Sequence, residues 1–201
     1  MTARTIEFFY DIGSSYSYLA ATQLDALERN TEATMRLRPF LLGGVFKAQG
    51  MPVQNAAKTK WMKEDLALWA AHYGVPYRFP SRFPLNTISV QRVLVAADLE
   101  GGQAALRALT MPLFRASFAD DRDISSSEVI ADVASSAGFD GAALVARSST
   151  EEVKQRLRAE TEEAIARGAF GAPSFFVGDQ LFFGNDRIPF IERLAKVPGR
   201  F

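Results

Sequence analysis

The order of the strand signals constrains the fold of this chain more than any other feature. TIEFFY, residues 5–10, is apolar on both faces, as a central strand is. A helical pattern from about Tyr16 to Arg29 separates it from MRLRPF, residues 35–40, in which apolar and basic residues alternate. Strand, helix and strand in this order predict a βαβ unit with parallel pairing and a right-handed crossover.

The C-terminal region carries a different signal. SFFVGDQLFF, residues 174–183, consists of two apolar runs joined by Gly178-Asp179, which predicts an antiparallel hairpin. The following segment RIPFIERLAK, residues 187–196, predicts a closing helix. The two ends of the chain therefore contribute one parallel and one antiparallel pair of strands.

The middle of the chain is helical in pattern almost throughout, from about residue 46 to residue 167. VPYRFPSRFPLNT, residues 75–87, contains three prolines and predicts a loop between helices. The order βαβ, helical block, helix and hairpin describes an α/β fold: a thioredoxin-like sheet (βαβ…αββα) with an inserted helical domain. We expect residues 1–45 plus 149–201 to form the thioredoxin-like domain and residues 46–148 the insertion.

Two capping boxes mark helix starts in the second half of the chain. Ser125 and Glu128 have the Ser-x-x-Glu spacing that opens a helix, and Gly138 is a plausible stop for it. Ser149 and Glu152 repeat the spacing and predict the start of the next helix.

Charge and composition exclude several classes of function. The chain has 201 residues, with 23 basic and 23 acidic side chains, so no basic field favours nucleic acid or an anionic membrane. The N-terminus lacks a secretory apolar region, and no stretch approaches the ~20 apolar residues of a membrane span. We therefore expect a cytoplasmic protein.

The absence of cysteine removes disulfides, thiolate nucleophiles and thiolate metal sites. His72 is the single histidine, so a multi-histidine metal site is excluded and we expect no bound metal. His72 falls near the end of a predicted helix, where a histidine is more often a C-terminal cation or a surface group than a catalyst.

The stretch YDIGSSYSYLA, residues 10–20, places a small polar turn between the first strand and the first helix. This arrangement presents an anion to a helix N-terminus in many proteins. Ser14 or Ser15 is equally suited to cap the helix, because serine is among the preferred N-cap residues. From the residues alone, both interpretations, anion binding and helix capping, stay open.

Five segments in the same order resemble one family. They are FFYDIGSSYSYLA, LRPFLLGGVFKAQG, KTKWMKEDLALWAAHYGVP, FPLNTISVQRVLVAA and GAFGAPSFFVGDQLFFGNDRI, and together they span nearly the whole chain. The chain resembles the 2-hydroxychromene-2-carboxylate isomerases and their relatives, the kappa-class glutathione transferases, within the disulfide-oxidoreductase branch of thioredoxin-fold proteins.

The resemblance gives a role to the turn. Residues 14–17 read Ser-Ser-Tyr-Ser where thioredoxin-fold oxidoreductases carry Cys-x-x-Cys, so this chain cannot exchange disulfides itself. The family implies that glutathione binds here as cofactor and that Ser14 holds its sulfur as thiolate. A helix N-terminus and a hydroxyl donor both favour that anion. Ser17, at the second cysteine position, is expected to be structural.

The resemblance also implies the groups that bind glutathione. A cis peptide bond before Pro173 is expected to leave the N–H and C=O of Ala172 free to pair with the cysteinyl backbone. Asn185 and Asp186 are expected to bind the γ-glutamyl end, where a carboxylate suits the ammonium. The alternative for Asn185 and Asp186 is that one of them caps the last helix.

Lys58 matches the lysine that relatives use against a glutathione carboxylate, although a lysine on a solvated helix often serves solubility alone. The sequence departs from the family pattern at Met51, which stands in place of an asparagine and for which Asn55 is a substitute candidate. Trp61 replaces a frequent tyrosine, and Ser15 stands where proline is common.

The resemblance thus implies a glutathione-dependent isomerase of aromatic catabolism, in which the sulfur adds to a small aromatic substrate and is eliminated after a bond rotates. A homodimer is the expected assembly. We expect Phe46, Lys47, Trp61 and Phe183 near the substrate, although the three aromatic residues are also candidates for ordinary core. The alternatives are a kappa-like transferase, which consumes the glutathione, and a cysteine-less thioredoxin-fold binding module.

Overall fold

The computed structural model describes residues 4–50 and 55–197, which contain a four-stranded mixed sheet. Its strands are β1 (Thr5–Tyr10), β2 (Thr34–Pro39), β3 (Ser174–Val177) and β4 (Gln180–Phe183), in the spatial order β2-β1-β3-β4. The β1 strand pairs parallel with β2 and antiparallel with β3, and β3 pairs antiparallel with β4. The predicted βαβ unit and the C-terminal hairpin are both confirmed.

The helices surround this sheet and fill the middle of the chain. They are α1 (Ser15–Ala21), α2 (Leu24–Thr31), α3 (Leu42–Gln49), α4 (Ala56–Tyr73), α5 (Ile88–Phe118), α6 (Ser127–Ser136), α7 (Gly141–Arg147), α8 (Glu151–Ala166) and α9 (Ile188–Ala195), with a 3-10 turn at Asn185–Arg187. The proline-rich segment is a loop between α4 and α5, as predicted. The long α5 changes direction at Gly102, whose φ of 63° is not helical.

The first predicted helix is in fact two helices. The sequence pattern indicated one helix over residues 16–29, but α1 ends at Ala21 and α2 begins at Leu24. Thr22 lies at the break, and its Oγ1 donates a hydrogen bond to the Leu19 carbonyl at 2.6 Å. The next amide tightens the turn because Gln23 N–H donates to the Ala20 carbonyl, three residues back.

The two predicted capping boxes are each misplaced. Ser126, not Ser125, caps α6, and its Oγ accepts a hydrogen bond from Val129 N–H. Ser125 instead bonds to Asp123, in the preceding turn. Thr150 precedes α8 without a side-chain cap bond, so the prediction for Ser149 is also wrong.

The sheet separates two different interiors. On the side of α1 and α5 the contacts are apolar and aromatic, with Phe8 stacked on Tyr10, Tyr10 in contact with Phe114 of α5, and α1 packed against α5. On the side of α8, Arg38 is buried and forms ion pairs with Glu7, Glu160 and Glu163. The α8 helix therefore packs on this side of the sheet through ion pairs in which each charge has a partner.

The division into domains at residues 45 and 148 stays a prediction, because α5 contacts both β2 and the helices of the proposed insertion. Within residues 4–50 and 55–197, none of the helices is both long and apolar enough to cross a membrane.

Candidate functional site

A cleft of about 560 Å³ lies between the start of α1, one side of α4 and the end of the hairpin. Six residues predicted from the sequence line it, although they come from separate segments of the chain: Lys58, Trp61, Ala172, Phe183, Asn185 and Asp186. Its volume falls within the range of about 300–1,000 Å³ that small-molecule sites occupy. The structure thus brings most of the predicted binding residues to one place.

Ser14 lies at the end of the β1 to α1 turn and is 7% exposed. It is the N-cap of α1, because its Oγ accepts a hydrogen bond from Ser17 N–H at 3.1 Å. The same Oγ donates to the Ala172 carbonyl at 2.9 Å. The capping role is therefore confirmed, and Ser14 is also joined to the residue before Pro173.

The peptide bond between Ala172 and Pro173 is cis, as expected. The expectation that both polar groups of Ala172 are free is wrong for the carbonyl, which accepts the Ser14 hydroxyl. No residue in the described part of the chain accepts a hydrogen bond from Ala172 N–H. Ala172, which lines the cleft, therefore has an open donor beside an occupied acceptor.

The other two serines of the turn have different surroundings. Ser15 Oγ accepts a hydrogen bond from the Tyr77 hydroxyl at 3.2 Å, and burial raises the pKa of Tyr77 to about 12. Ser17 Oγ is buried and has no hydrogen-bond partner among residues 4–50 and 55–197.

A buried carboxylate fixes the path of the chain into this turn. Asp11 is 1% exposed, and its two oxygens accept hydrogen bonds from Gly13 N–H and Leu42 N–H, each at 2.8 Å. Burial raises the pKa of Asp11, and the two backbone donors oppose that effect. Asp11 thereby ties the turn before Ser14 to the start of α3.

Asn185 and Asp186 lie in the 3-10 turn after the hairpin. Neither caps a helix by its side chain: Gly184 precedes the 3-10 turn, and Arg187 precedes α9. Gly184 has a φ of 104°, which a residue with a side chain rarely adopts. The alternative role as helix caps is therefore wrong.

The two side chains of this pair differ in exposure. The buried Asn185 donates from Nδ2 to the Tyr73 hydroxyl at 3.4 Å. Asp186 is 42% exposed and pairs with Arg187 at 3.0 Å. Asp186 is therefore the charged and the more exposed member of the pair.

The α4 helix forms the opposite wall. Asn55 caps it by accepting a hydrogen bond from Lys58 N–H at 2.8 Å, so this side chain serves the helix rather than standing in for the family asparagine. Met51 lies outside the described residues. The Lys58 and Trp61 side chains lie one turn apart along the cleft, and Trp61 is 58% exposed.

A family model, the DSBA-like thioredoxin domain, matches residues 5–196. The chain belongs to the DSBA-like thioredoxin family. The sequence is 31% identical to kappa 2 glutathione S-transferase of Caenorhabditis elegans over 92% of this chain and 89% of that protein. It is equally similar, at 31%, to 2-hydroxychromene-2-carboxylate isomerase of Sphingobium xenophagum, over 94% and 96% of the two chains.

A solved 2-hydroxychromene-2-carboxylate isomerase has the same fold, with a TM-score of 0.84 and 28% identity over 94% of this chain and 93% of that one. The resemblance to isomerases and kappa transferases inferred from the five sequence segments is thereby confirmed. Both kinds of relative are enzymes.

Two of the residues predicted near a substrate lie elsewhere in this DSBA-like fold. Phe46 and Lys47 are on α3 and are not among the residues lining the cleft. Lys47 lines a separate cleft against α8. In contrast, Trp61 and Phe183 are both exposed, so the alternative of ordinary core is wrong for them.

His72 is a surface group, as expected. It is exposed in the last turn of α4, where its ring meets Trp69 edge to face.

Sequence patterns missed part of this DSBA-like site. Tyr16, Asp65, Trp69, Gly184 and Arg187 also line the cleft. The Tyr16 hydroxyl donates to Asp65 at 2.8 Å, a contact that joins α1 to α4. Burial and then this carboxylate raise the pKa of Tyr16. Because the two residues are far apart in sequence, no local pattern signals their contact.

Proposed function

We propose that this protein is a glutathione-dependent isomerase of the 2-hydroxychromene-2-carboxylate type, with Ser14 as the residue that holds the sulfur as thiolate. The observation that carries the proposal is the convergence of Lys58, Ala172 and Asp186 on one cleft, together with the hydrogen bond from the Ser14 hydroxyl to the Ala172 carbonyl. The similarity to named isomerases and kappa transferases over nearly the whole chain supports it.

The groups along the cleft fit glutathione. Ala172 lines the cleft and its N–H has no acceptor among the described residues, so we expect a peptide carbonyl of the ligand to accept from it. Asp186 supplies a carboxylate for the ammonium of the γ-glutamyl end, and Lys58 a cation for a carboxylate. A tripeptide with one ammonium and two carboxylates matches this set.

Bound glutathione would supply a nucleophilic sulfur that adds to a conjugated carbon of an aromatic substrate and is eliminated after a bond rotates. The chain itself provides the surroundings for that chemistry. Trp61, Trp69 and Phe183 give the cleft aromatic walls that suit a flat, apolar substrate. Tyr16, bonded to Asp65, is a hydroxyl within the same cleft.

A kappa-like transferase is the second candidate, favoured by an equal identity to a named kappa transferase. Product analysis separates the two enzymes, because an isomerase regenerates free glutathione and a transferase consumes it in a conjugate. A cytoplasmic location and a homodimer remain proposals.

Glutathione itself provides the first test. A ligand present at ~100 times its dissociation constant stabilises a protein by about 2.7 kcal/mol. For a chain of this size we expect a rise in melting temperature of roughly 5–10 °C. An unchanged melting temperature at millimolar glutathione would exclude both enzymes and favour a thioredoxin-fold binding module.

A further inference from the structure

The Ser14 hydroxyl already donates its hydrogen to the Ala172 carbonyl. Oγ accepts from Ser17 N–H at 3.1 Å and donates to the Ala172 carbonyl at 2.9 Å. A serine hydroxyl has one hydrogen to donate, so in this arrangement Ser14 is limited to accepting a hydrogen bond from a sulfur placed beside it. A bond accepted from S–H favours the neutral thiol over the thiolate. Ser14 as it stands therefore opposes the ionisation that the proposed function requires.

The Ala172 carbonyl holds the hydrogen in place. Ala172 is 8% exposed, and buried carbonyls are rarely left without a donor. Among the described residues, Ser14 is the one that donates to this oxygen. Turning the hydroxyl towards a sulfur would leave the carbonyl unpaired unless another donor replaces it.

The replacement donor has to come with the ligand. Ala172 lines the cleft and carries, on one residue, an N–H without a partner and a carbonyl that needs one. This is the edge on which an extended peptide pairs, with its N–H on the carbonyl and its own carbonyl on the N–H. A bound peptide N–H is thus able to take over the Ala172 oxygen.

We propose that Ser14 is a conditional donor, which turns to the sulfur when a ligand amide N–H occupies the Ala172 carbonyl. The inference rests on the proposed function and adds a selection rule to it. The site ionises thiols that carry an amide N–H on the carbon next to the thiol-bearing carbon, and leaves other thiols neutral. The Ser14 hydrogen stays on Oγ and changes only its acceptor, while the thiol proton leaves to water.

Ser15 is the competing donor. Its Oγ accepts from Tyr77, and its own hydrogen has no acceptor in the part of the chain that the structure describes. A hydrogen bond from Ser15 would stabilise the thiolate of any bound thiol, whether or not a ligand amide N–H occupies the Ala172 carbonyl. Ser15→Ala is therefore the matched variant for Ser14→Ala.

The test compares glutathione with its ester analogue, in which an oxygen replaces the cysteinyl amide N–H. Binding is followed by melting temperature, and the pKa of the bound thiol by its far-ultraviolet thiolate band. With glutathione we expect a pKa lowered by about one unit or more from ~8.5, and Ser14→Ala should return it towards that value. With the ester the pKa should be the same in the wild type and Ser14→Ala, and higher than that of glutathione bound to the wild type.

Two results would overturn the inference. One is an ester whose pKa falls as far as that of glutathione and rises equally on Ser14→Ala. The other is a pKa, for either thiol, that depends on Ser15→Ala and not on Ser14→Ala. In both cases glutathione would still bind and ionise, so the proposed glutathione-dependent activity would stand, but the second result would move the sulfur-holding role from Ser14 to Ser15. A glutathione that neither binds nor ionises would remove the proposed function itself, and the inference with it.

Discussion

The inner and outer ends of the cleft differ in burial and in how their polar groups are bonded. At the inner end, Ala172 lines the cleft and is hydrogen-bonded to Ser14, which lies behind the lining residues; both are more than nine-tenths buried. At the outer end, Trp61 is 58% exposed, and the Asp186 side chain is 42% exposed. The polar groups of the inner end are buried and hydrogen-bonded within the protein, whereas the outer end has charged side chains in contact with water.

This difference assigns different tasks to the two ends. A hydrogen bond in a buried, low-dielectric place is electrostatically strong, and removing one partner leaves the other unsatisfied. An exposed ion pair is screened and typically contributes less than about 1 kcal/mol. The inner end is therefore suited to setting the ionisation of a sulfur, and the outer end to adding affinity in small increments.

The largest effect is expected from Ser14→Ala, at the inner end. Loss of a charge-assisted hydrogen bond of about 1.5–3 kcal/mol should raise the pKa of bound glutathione by roughly one to two units. Turnover at neutral pH should then fall about tenfold or more, because less of the thiol is ionised. A pH titration of the thiolate band, beside the pH profile of turnover, measures both. A bound thiol with the same pKa in the variant would assign the sulfur to another residue.

Asp186→Ala, at the outer end, should weaken glutathione binding and leave the pKa of the bound thiol unchanged. Because Asp186 is partly exposed and shares its charge with Arg187, we expect a loss of about 1 kcal/mol, or roughly fivefold in affinity. Calorimetric titration with glutathione gives the affinity. Asp179→Ala, in the exposed hairpin turn, is the matched control and should bind normally. A shifted thiol pKa in Asp186→Ala would contradict the separation of the two ends.

Local sequence patterns and the family resemblance predicted different parts of the site, for a physical reason. The turn at Ser14 lies between a strand and a helix that local patterns reveal, whereas the cis bond before Pro173 was implied by the family resemblance alone. The contact of Tyr16 with Asp65, and the wall formed by Trp69, depend on how α4 packs against α1. That packing is a property of distant segments, so no local pattern encodes it.

The same reason explains the errors in the fold. The periodic apolar residues of α1 and α2 lie on a continuous helical pattern, and the competing hydrogen bond of Thr22 Oγ1 to Leu19 breaks it. At α6, Ser125 fits the capping spacing, but Asp123 takes its hydroxyl and the next serine caps the helix. Side chains that bond locally thus decide boundaries that hydrophobic periodicity leaves open.

Asp11→Asn tests whether the hydrogen bonds of the Asp11 carboxylate hold the turn before Ser14 in place. Both Asp11 oxygens accept backbone N–H groups, so an amide would set a donor against Gly13 or Leu42. We expect unfolding to become easier by about 1–3 kcal/mol, the cost of one unsatisfied buried N–H. Urea denaturation measures this, with the exposed Asp179→Asn as control. Equal midpoints for the two variants would show that the buried carboxylate does not hold the turn.

Ser17→Ala should have the smallest effect, although Ser17 lies in the same turn of α1 as Ser14. The Ser17 hydroxyl is buried without a partner among the described residues, and alanine is the better helix former. Its removal should leave the free energy of unfolding unchanged or raise it by up to about 1 kcal/mol, since no satisfied hydrogen bond is lost. The pKa of bound glutathione should stay at the wild-type value, because Ser14 keeps its hydrogen. Urea denaturation and the thiolate titration, run beside Ser14→Ala, separate the two serines. A raised thiol pKa in Ser17→Ala would mean that its hydroxyl finds its missing partner in the sulfur, and that the inner end divides the work between both serines.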